Sequence, residues 1–131
     1  MRRTIKINNE VLKQMKKIYY NKKLPYIDWM GFEIDDINKP SYHHIEKAED
    51  LRNNNKSDLA TIENGAYLGK KSHELLHKIE LIDKDLYDSW NYVFLLINSM
   101  KTYPIEDVWS IVFDLKDKSV NIINNVKKKK L

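Results

Sequence analysis

Residues 70–80 read KKSHELLHKIE and contain two of the four histidines of this 131-residue chain. The apolar spacing predicts a helix over about 72–81, and His73 and His77 lie four positions apart within it. Residues four apart share one face of an α-helix, with about 5–6 Å between their Cβ atoms. The sequence therefore predicts two imidazoles side by side, where they can share one divalent metal ion.

The other two histidines, His43 and His44, are adjacent and follow Pro40 in the stretch PSYHHIEKAED. Neighbouring residues of a strand point to opposite faces. One ring of this pair can then face a metal while the other acts as a general base. Each pair taken alone also fits a second interpretation, in which the rings are ordinary surface or half-buried side chains.

The length and composition are those of one ordinary domain. We interpret residues 1–131 as a single domain, with the histidine motif at about 40–80 and a helical region at about 83–126. The chain has no cysteine, which excludes disulfides and thiolate metal ligands and fits a cytoplasmic location. Its longest apolar run, VFLLI at 93–97, is too short to cross a bilayer.

The formal net charge is +4, and KKKK at 127–130 alone contributes four positive charges. Any attraction to nucleic acid must therefore come from a local basic patch. The stretch KQMKKIYYNKK at 13–23 interleaves lysines with aromatic residues, a pattern that suits nucleic-acid binding. The same pattern equally suits an amphipathic helix whose apolar side lies in the core.

Apolar periodicity predicts the elements of the N-terminal third. A helix is expected over 8–22, capped by Asn8 or Asn9. One or two strands are expected over 26–37, with a turn near Gly31. The aromatic segment YIDWMGF within this region is interpreted as part of the core.

Four acidic residues lie in or beside these predicted strands: Asp28, Glu33, Asp35 and Asp36. Their spacing does not give the D-E-x-K order of nucleases that bind metal through carboxylates. We therefore interpret them as solvated residues at the end of a strand.

The rest of the chain is predicted to be mainly helical. A sharp bend is expected at ENGAYLGK, residues 63–70, which contains two of the three glycines. After the histidine helix, a second helix begins with Asp83 as its cap and runs to about Met100. A third follows Pro104, and a last short helix is expected near 118–126. The predicted buried stripes are Leu86, Trp90, Val93, Phe94 and Ile97 on the second helix, and Ile105, Val108, Trp109, Val112 and Leu115 on the third.

Read in chain order, the histidines form one motif. It runs His-His-Ile at 43–45, then a polar loop, then Glu-Asn-Gly-Ala-Tyr-Leu at 63–68, then Ser-His-Glu-Leu-Leu-His at 72–77. This pattern resembles the motif of the His-Asn-His (HNH) nucleases, also called the ββα-metal fold. The resemblance covers about residues 40–80 and implies an α+β protein, with a small ββα-metal core and flanking N- and C-terminal helices.

The resemblance also implies a role for each motif residue. His44 would be the general base that activates water, and Asn64 would hold the loop that aims it. His43, His73 and His77 would bind one divalent metal ion, such as Mg, Mn, Ni or Zn. The family cleaves phosphodiester bonds, usually in DNA, so the expected partner is double-stranded DNA and no membrane is involved.

Four basic residues flank the histidine pairs and are expected to contact DNA phosphates: Lys47, Arg52, Lys70 and Lys71. The last two lie near the start of the histidine helix, whose N-terminus itself favours an anion. The alternative interpretation for each is a solvated surface charge. Ligand histidines normally donate their second N–H to an acceptor, and the available carboxylates are Glu46, Glu74 and Glu80.

The chain also departs from the family pattern. Many members carry two Cys-x-x-Cys pairs that bind a structural zinc, and this chain has no cysteine. RNNN at 52–55 stands where a Gly-Gly pair is usual. Two other classes of function therefore remain: a catalytically inactive HNH-like domain that binds nucleic acid or inhibits a protein, and a helical interaction protein whose histidines are incidental.

Overall fold

The computed structural model describes residues 3–45 and 61–129, and these form four helices and one two-stranded antiparallel sheet. The elements are α1 (Arg3–Tyr19), β1 (Pro40–His44), β2 (Gly65–Gly69), α2 (Lys70–Ile82), α3 (Lys84–Met100) and α4 (Glu106–Lys129). The fold is thus α+β, as predicted, with helices on both sides of the sheet in sequence. No described helix is both long and apolar enough to cross a membrane.

The two strands pair in one register. Tyr42 lies opposite Tyr67, and His43 lies opposite Ala66. Paired residues share a face of the sheet and successive residues alternate, so His43 and Tyr42 point to opposite sides. Helix α2 begins at Lys70, directly after the last residue of β2. The register therefore fixes where α2 starts relative to the histidines of β1.

The expected sharp bend at 63–70 is wrong, because Gly65 and Gly69 begin and end the extended strand β2. The glycines are required by close packing instead. A Cβ atom at Gly65 would overlap the ring of Tyr42, and one at Gly69 would overlap the amide of Asn38. Tyr42 and Asn38 are themselves buried, so neither neighbour has room to move away.

Helix α1 begins earlier and ends earlier than the predicted 8–22. Asn8 and Asn9 lie inside it, so the prediction that one of them caps the helix is wrong. Ile18 is apolar but lies outside the core-facing side of the helix and is 37% exposed. The buried residues of α1 are Val11, Leu12, Met15 and Tyr19.

The segment predicted as one or two strands forms a turn closed by a single bridge, between Ile27 and Glu33. Gly31 adopts a φ of +84° in this turn, a left-handed conformation that only glycine accepts at low energy. Trp29 and Met30 are fully buried, which confirms that this aromatic segment belongs to the core.

Helix α3 follows the sequence prediction closely. The Asp83 side chain accepts a hydrogen bond from Leu86 N at 3.1 Å, as an N-cap does. All five predicted stripe residues are buried. The stripe packs on the sheet and on α2 and α4.

Helix α4 is one continuous helix of 24 residues, so the predicted break before a last short helix is wrong. Ser119 lies near the start of that predicted last helix and is fully buried. Its hydroxyl donates to Leu115 O and accepts from Trp90 Nε1, which keeps a polar residue inside the helix. Ile105 precedes the helix and is 56% exposed, so its predicted place in the buried face is also wrong.

A buried carboxylate joins the turn after α1 to the sheet. Asp28 is fully buried, and its oxygens accept hydrogen bonds from the backbone N–H of Met30, Phe32 and Gly69. Burial raises the pKa of this carboxyl, and the backbone donors act in the opposite direction. Asp28 therefore fixes the turn against the end of β2 rather than lying at a solvated strand end.

The other three acidic residues of that region do lie in solvent, as predicted: Glu33, Asp35 and Asp36. The sequence interpretation fails only for Asp28. It fails because the carboxylate serves three backbone donors, and such contacts leave no trace in residue spacing.

A second buried polar residue joins α3 to the sheet and to α1. The Asn98 side chain donates from Nδ2 to Gly65 O and accepts at Oδ1 from the Tyr19 hydroxyl. Asn98 and Asp28 thus attach the first and last residues of β2 to different parts of the core. The described buried apolar residues form a hydrophobic cluster that includes members of all four helices and both strands.

Asp28→Ala is expected to lower the free energy of unfolding by about 3 kcal/mol, because it leaves three backbone N–H donors without their acceptor. Urea denaturation followed by circular dichroism measures the change. Asp36→Ala removes an exposed carboxylate nearby and should alter stability by less than about 0.5 kcal/mol. Equal stability of the two variants would contradict the role assigned to Asp28.

Candidate metal centre

Three of the four histidines come together between the sheet and α2. His43 comes from β1, and His73 and His77 come from the first two turns of α2. One ring nitrogen from each lies within 4.8 Å of the others. The ring centroids of His73 and His77 are 4.7 Å apart, and that of His43 is 5.3 Å from His73. Within residues 3–45 and 61–129, this is the one group of three or more such side chains arranged to hold a metal ion.

The three ligand candidates differ in exposure. His43 is 2% exposed, and His73 is half-buried. The side chain of His77 is 52% exposed. The cluster thus extends from the protein interior to the surface, so a metal ion can reach it from solvent without any opening of the core.

Each of the three rings has an oxygen atom from the protein beside one nitrogen, and two of these oxygens come from β1 and α2. The Nδ1 atom of His73 lies 2.9 Å from Ser41 Oγ. The Nδ1 atom of His77 lies 3.6 Å from a carboxylate oxygen of Glu80. An acceptor at one ring nitrogen favours the tautomer whose other nitrogen keeps its lone pair for a metal. Of the carboxylates considered from sequence, Glu80 is the one placed for this role, Glu74 is exposed, and Glu46 lies outside the described residues.

The third ring, His43, is held by a residue that sequence reasoning missed. Its Nε2 atom lies 2.9 Å from Oδ1 of Asn91 on α3. Asn91 is seven positions before Asn98, so the two amides share a face of α3. Two asparagines at that spacing beside an apolar stripe were the signal available in the sequence.

Burial and crowding keep the inner histidines neutral. Desolvation lowers the pKa of His43 to about 3, and the neighbouring His73, His77 and His44 lower it further against the opposing contact with Asn91. Desolvation likewise lowers the pKa of His73 to about 4, with smaller contributions from His77 and His44. Both imidazoles are therefore unprotonated at neutral pH, which is the form that binds metal.

His44 points to the other face of the sheet, because it follows His43 in the strand. Its ring packs edge-on against Tyr42, with centroids 4.7 Å apart. The Tyr42 hydroxyl in turn donates to Thr61 O at 2.6 Å and accepts from Thr61 N at 2.9 Å. The predicted base is thus oriented by a tyrosine that is itself fixed at both hydrogen-bonding positions.

The backbone of Asn64 lies beside the residue that follows the predicted base. Its backbone oxygen accepts a hydrogen bond from the N–H of Ile45, the residue after His44, at 2.9 Å. The N–H of Asn64 donates to Thr61 Oγ1 at 3.1 Å. The residues that follow His44 are thereby attached to the turn before β2.

The four predicted phosphate contacts divide into two pairs. Lys70 and Lys71 are exposed in the first turn of α2, whereas Lys47 and Arg52 lie outside the described residues. The N-terminus of α2 was expected to favour an anion. Its backbone donors instead meet the Asn38 side chain, whose Oδ1 accepts from Lys71 N at 2.8 Å. These lysines can therefore reach a phosphate through their side chains only.

No family model, no curated protein and no solved structure matches the chain. The interpretation of the site therefore rests on the motif residues and on the geometry given above.

The protein is expected to bind one transition-metal ion at the three histidines. His73→Ala should weaken binding more than about 100-fold, because it removes a ligand rather than an outer contact. Isothermal titration with Zn²⁺ and with Ni²⁺ measures the affinity. His44→Ala is the matched control and should leave the affinity unchanged, since that ring points away from the cluster. Equal weakening in both variants would contradict the assigned ligand set.

The metal-free protein is expected to lose stability as the pH falls below about 6.5, where the unfolded histidines titrate. The folded pKa values of His43 and His73 are about 3 and about 4. The unfolded state therefore binds more protons between those values and 6.5, so acid favours unfolding throughout this window. Urea denaturation in chelator at several pH values measures the slope.

His43→Gln removes one of the two groups and should flatten that slope by about 1 kcal/mol per pH unit. A wild-type stability that does not change between about pH 7 and pH 5 would contradict the neutral, buried state of these rings.

Proposed function

We propose that the chain is a metal-dependent endonuclease of the HNH type that hydrolyses phosphodiester bonds in double-stranded DNA. The observation that carries the proposal is the convergence of His43, His73 and His77 beside a fourth histidine on the opposite face of the same strand. A strand–strand–helix unit with no residue between β2 and α2 supplies all four histidines. This is the element order that the name ββα-metal describes.

The donor set suits a divalent metal ion. Three imidazoles form a neutral ligand set, and each has an oxygen contact from Ser41, Glu80 or Asn91 at one ring nitrogen. Neutral ligands leave the full positive charge of a bound ion available to a substrate anion. When bound, the ion would supply positive charge against the phosphoryl oxygens and the leaving oxygen of a phosphodiester.

The remaining requirement is a base that activates water. In the proposed reaction the His44 imidazole accepts a proton from a water molecule, and the water oxygen attacks phosphorus. The P–O bond to the 3′ oxygen then breaks and this oxygen takes up a proton from solvent water, which leaves a 5′-phosphate and a 3′-hydroxyl. Histidine suits this step because its ordinary pKa lies near neutral pH. The edge-on contact with Tyr42 limits the directions in which the base can point.

The neighbouring residues support the placement of this base. Asn64 is hydrogen-bonded to Ile45 and Thr61, so the chain on both sides of the hairpin opening is held near His44. Lys70 and Lys71 are exposed at the start of the helix that carries His73. They can contact phosphates next to the scissile bond.

The helical interaction protein is the hypothesis that this geometry disfavours. Incidental histidines give no reason for three rings from two elements to converge, or for their outer nitrogens to meet oxygen atoms. The inactive HNH-like domain has the same geometry as the nuclease and differs from it in the outcome of a cleavage assay.

The purified protein is expected to nick supercoiled plasmid in the presence of Mg²⁺, Mn²⁺, Ni²⁺ or Zn²⁺ and to lose this activity in chelator. His44→Ala should reduce the rate by about 10²–10⁴-fold, because it removes the general base. His73→Ala should abolish the reaction by removing a metal ligand. Gel densitometry of the supercoiled and open-circular forms measures both.

Lys118→Gln, at an exposed position on α4, is purified in parallel and should cleave at the wild-type rate. A contaminating nuclease would be present in all preparations. Cleavage that is lost in the histidine variants but kept in Lys118→Gln therefore belongs to the protein itself. Metal-bound, folded protein that fails to cleave with every metal would favour the inactive HNH-like domain instead.

A further inference from the structure

A second concave surface lies away from the histidine cluster, along the C-terminal half of α1 and the segment that follows it. The cavity has a volume of about 730 Å³. Its lining includes four lysines and two tyrosines: Lys13, Lys16, Lys17, Lys22, Tyr20 and Tyr26. We call this surface the lysine cavity. Nothing in the proposed cleavage reaction uses it.

The lysine cavity carries an excess of positive charge. Glu10 is the one carboxylate in its lining, and it pairs with Lys13 at 3.7 Å. Within the described part of the chain, Lys16, Lys17 and Lys22 form no ion pair. Three exposed ammonium groups around one depression repel each other unless an anion lies among them. The charge therefore favours an anionic ligand.

One of the lysines lies over an aromatic ring of the cavity, so this ring is not free for stacking. Lys16 Nζ lies over the ring of Tyr26, 4.8 Å from its centroid. The Tyr26 hydroxyl is 2.6 Å from the hydroxyl of Tyr67 in β2, and the Tyr20 ring packs edge-on against Tyr26. Because a lysine already covers the Tyr26 ring, the surface suits phosphate groups better than stacked bases.

The lysine cavity is connected to the face of the sheet that carries the predicted base. Tyr67 is paired with Tyr42 across the strands, so both side chains leave the sheet on the same face. His44 shares that face, since it is two residues from Tyr42. His43, the one ligand candidate that comes from the sheet, points to the opposite face. A DNA strand that lies in the cavity is therefore on the side of the sheet toward which His44 points.

We propose that the lysine cavity binds the phosphodiester backbone of the DNA substrate and holds it on the His44 side of the sheet. The inference rests on the proposed function for the identity of its ligand. Lys13 lies one turn before Lys16 and Lys17 on α1, about 5–6 Å from each of them at Cβ. A row of positive charges at such intervals suits a ligand whose negative charges also repeat along a chain. Of the four cavity lysines, Lys17 and Lys22 are the least involved in contacts with other groups.

The test measures DNA binding without cleavage. Fluorescence anisotropy with a labelled duplex in chelator gives the dissociation constant at a series of salt concentrations. Each lost phosphate contact lowers the slope of log affinity against log salt by about 0.9. Lys17→Gln/Lys22→Gln should therefore bind more weakly than wild type at low salt and reduce the slope by about 2.

The matched control is Lys84→Gln/Lys118→Gln, which removes the same charge at exposed positions outside the cavity. It should keep the wild-type slope. An unchanged slope in the cavity variant, or an equal drop in both variants, would overturn the proposal. A polyglutamate peptide that displaces the duplex at equal charge concentration would also overturn it, because the cavity would then bind acidic chains in general.

The outcome is separable from that of the proposed function. If the wild-type protein cleaves plasmid but the cavity variant keeps the wild-type salt slope, the nuclease proposal stands and the cavity proposal fails. If the cavity variant lowers the salt slope but the wild-type protein cleaves DNA with none of the metals, the cavity proposal stands and the nuclease proposal fails. Wild-type protein that does not bind the duplex at low salt overturns the cavity proposal outright.

Discussion

The register of the two-stranded sheet is the constraint on which the candidate site depends. Successive strand residues point to opposite faces, so a slip of one residue would exchange the positions of His43 and His44. A two-stranded sheet alone is too small to hold its register in water. Here the two ends of β2 are fixed from outside, by Asn98 at Gly65 and by Asp28 at Gly69. These buried polar contacts thereby determine which histidine faces α2.

Local spacing in the sequence predicted the parts of the fold and site that local geometry controls. The four-residue separation of His73 and His77 placed both rings on one helical face, and the structure brings His43 to them. The cap at Asp83 and the buried stripe of α3 were likewise read from periodicity and confirmed. Each of these features depends on residues within one or two turns of each other, or on strand alternation.

The features that the sequence did not predict depend on partners distant in the chain. Asn91 contacts a histidine 48 positions earlier, and Asp28 bonds to Gly69 across 41 positions. Ser119 is tolerated inside α4 because Trp90 donates a hydrogen bond to it. The glycines of β2 reflect side chains packed over them rather than a bend. In each case the deciding interaction is a tertiary contact, and the spacing of residues along the sequence does not reveal such contacts.

The double hydrogen bond between Tyr42 and Thr61 closes the chain on either side of residues 46–60. One hydroxyl group therefore links β1 to the turn before β2. The ring that carries this hydroxyl also lies against His44, so the closure of the hairpin and the orientation of the predicted base depend on the same side chain.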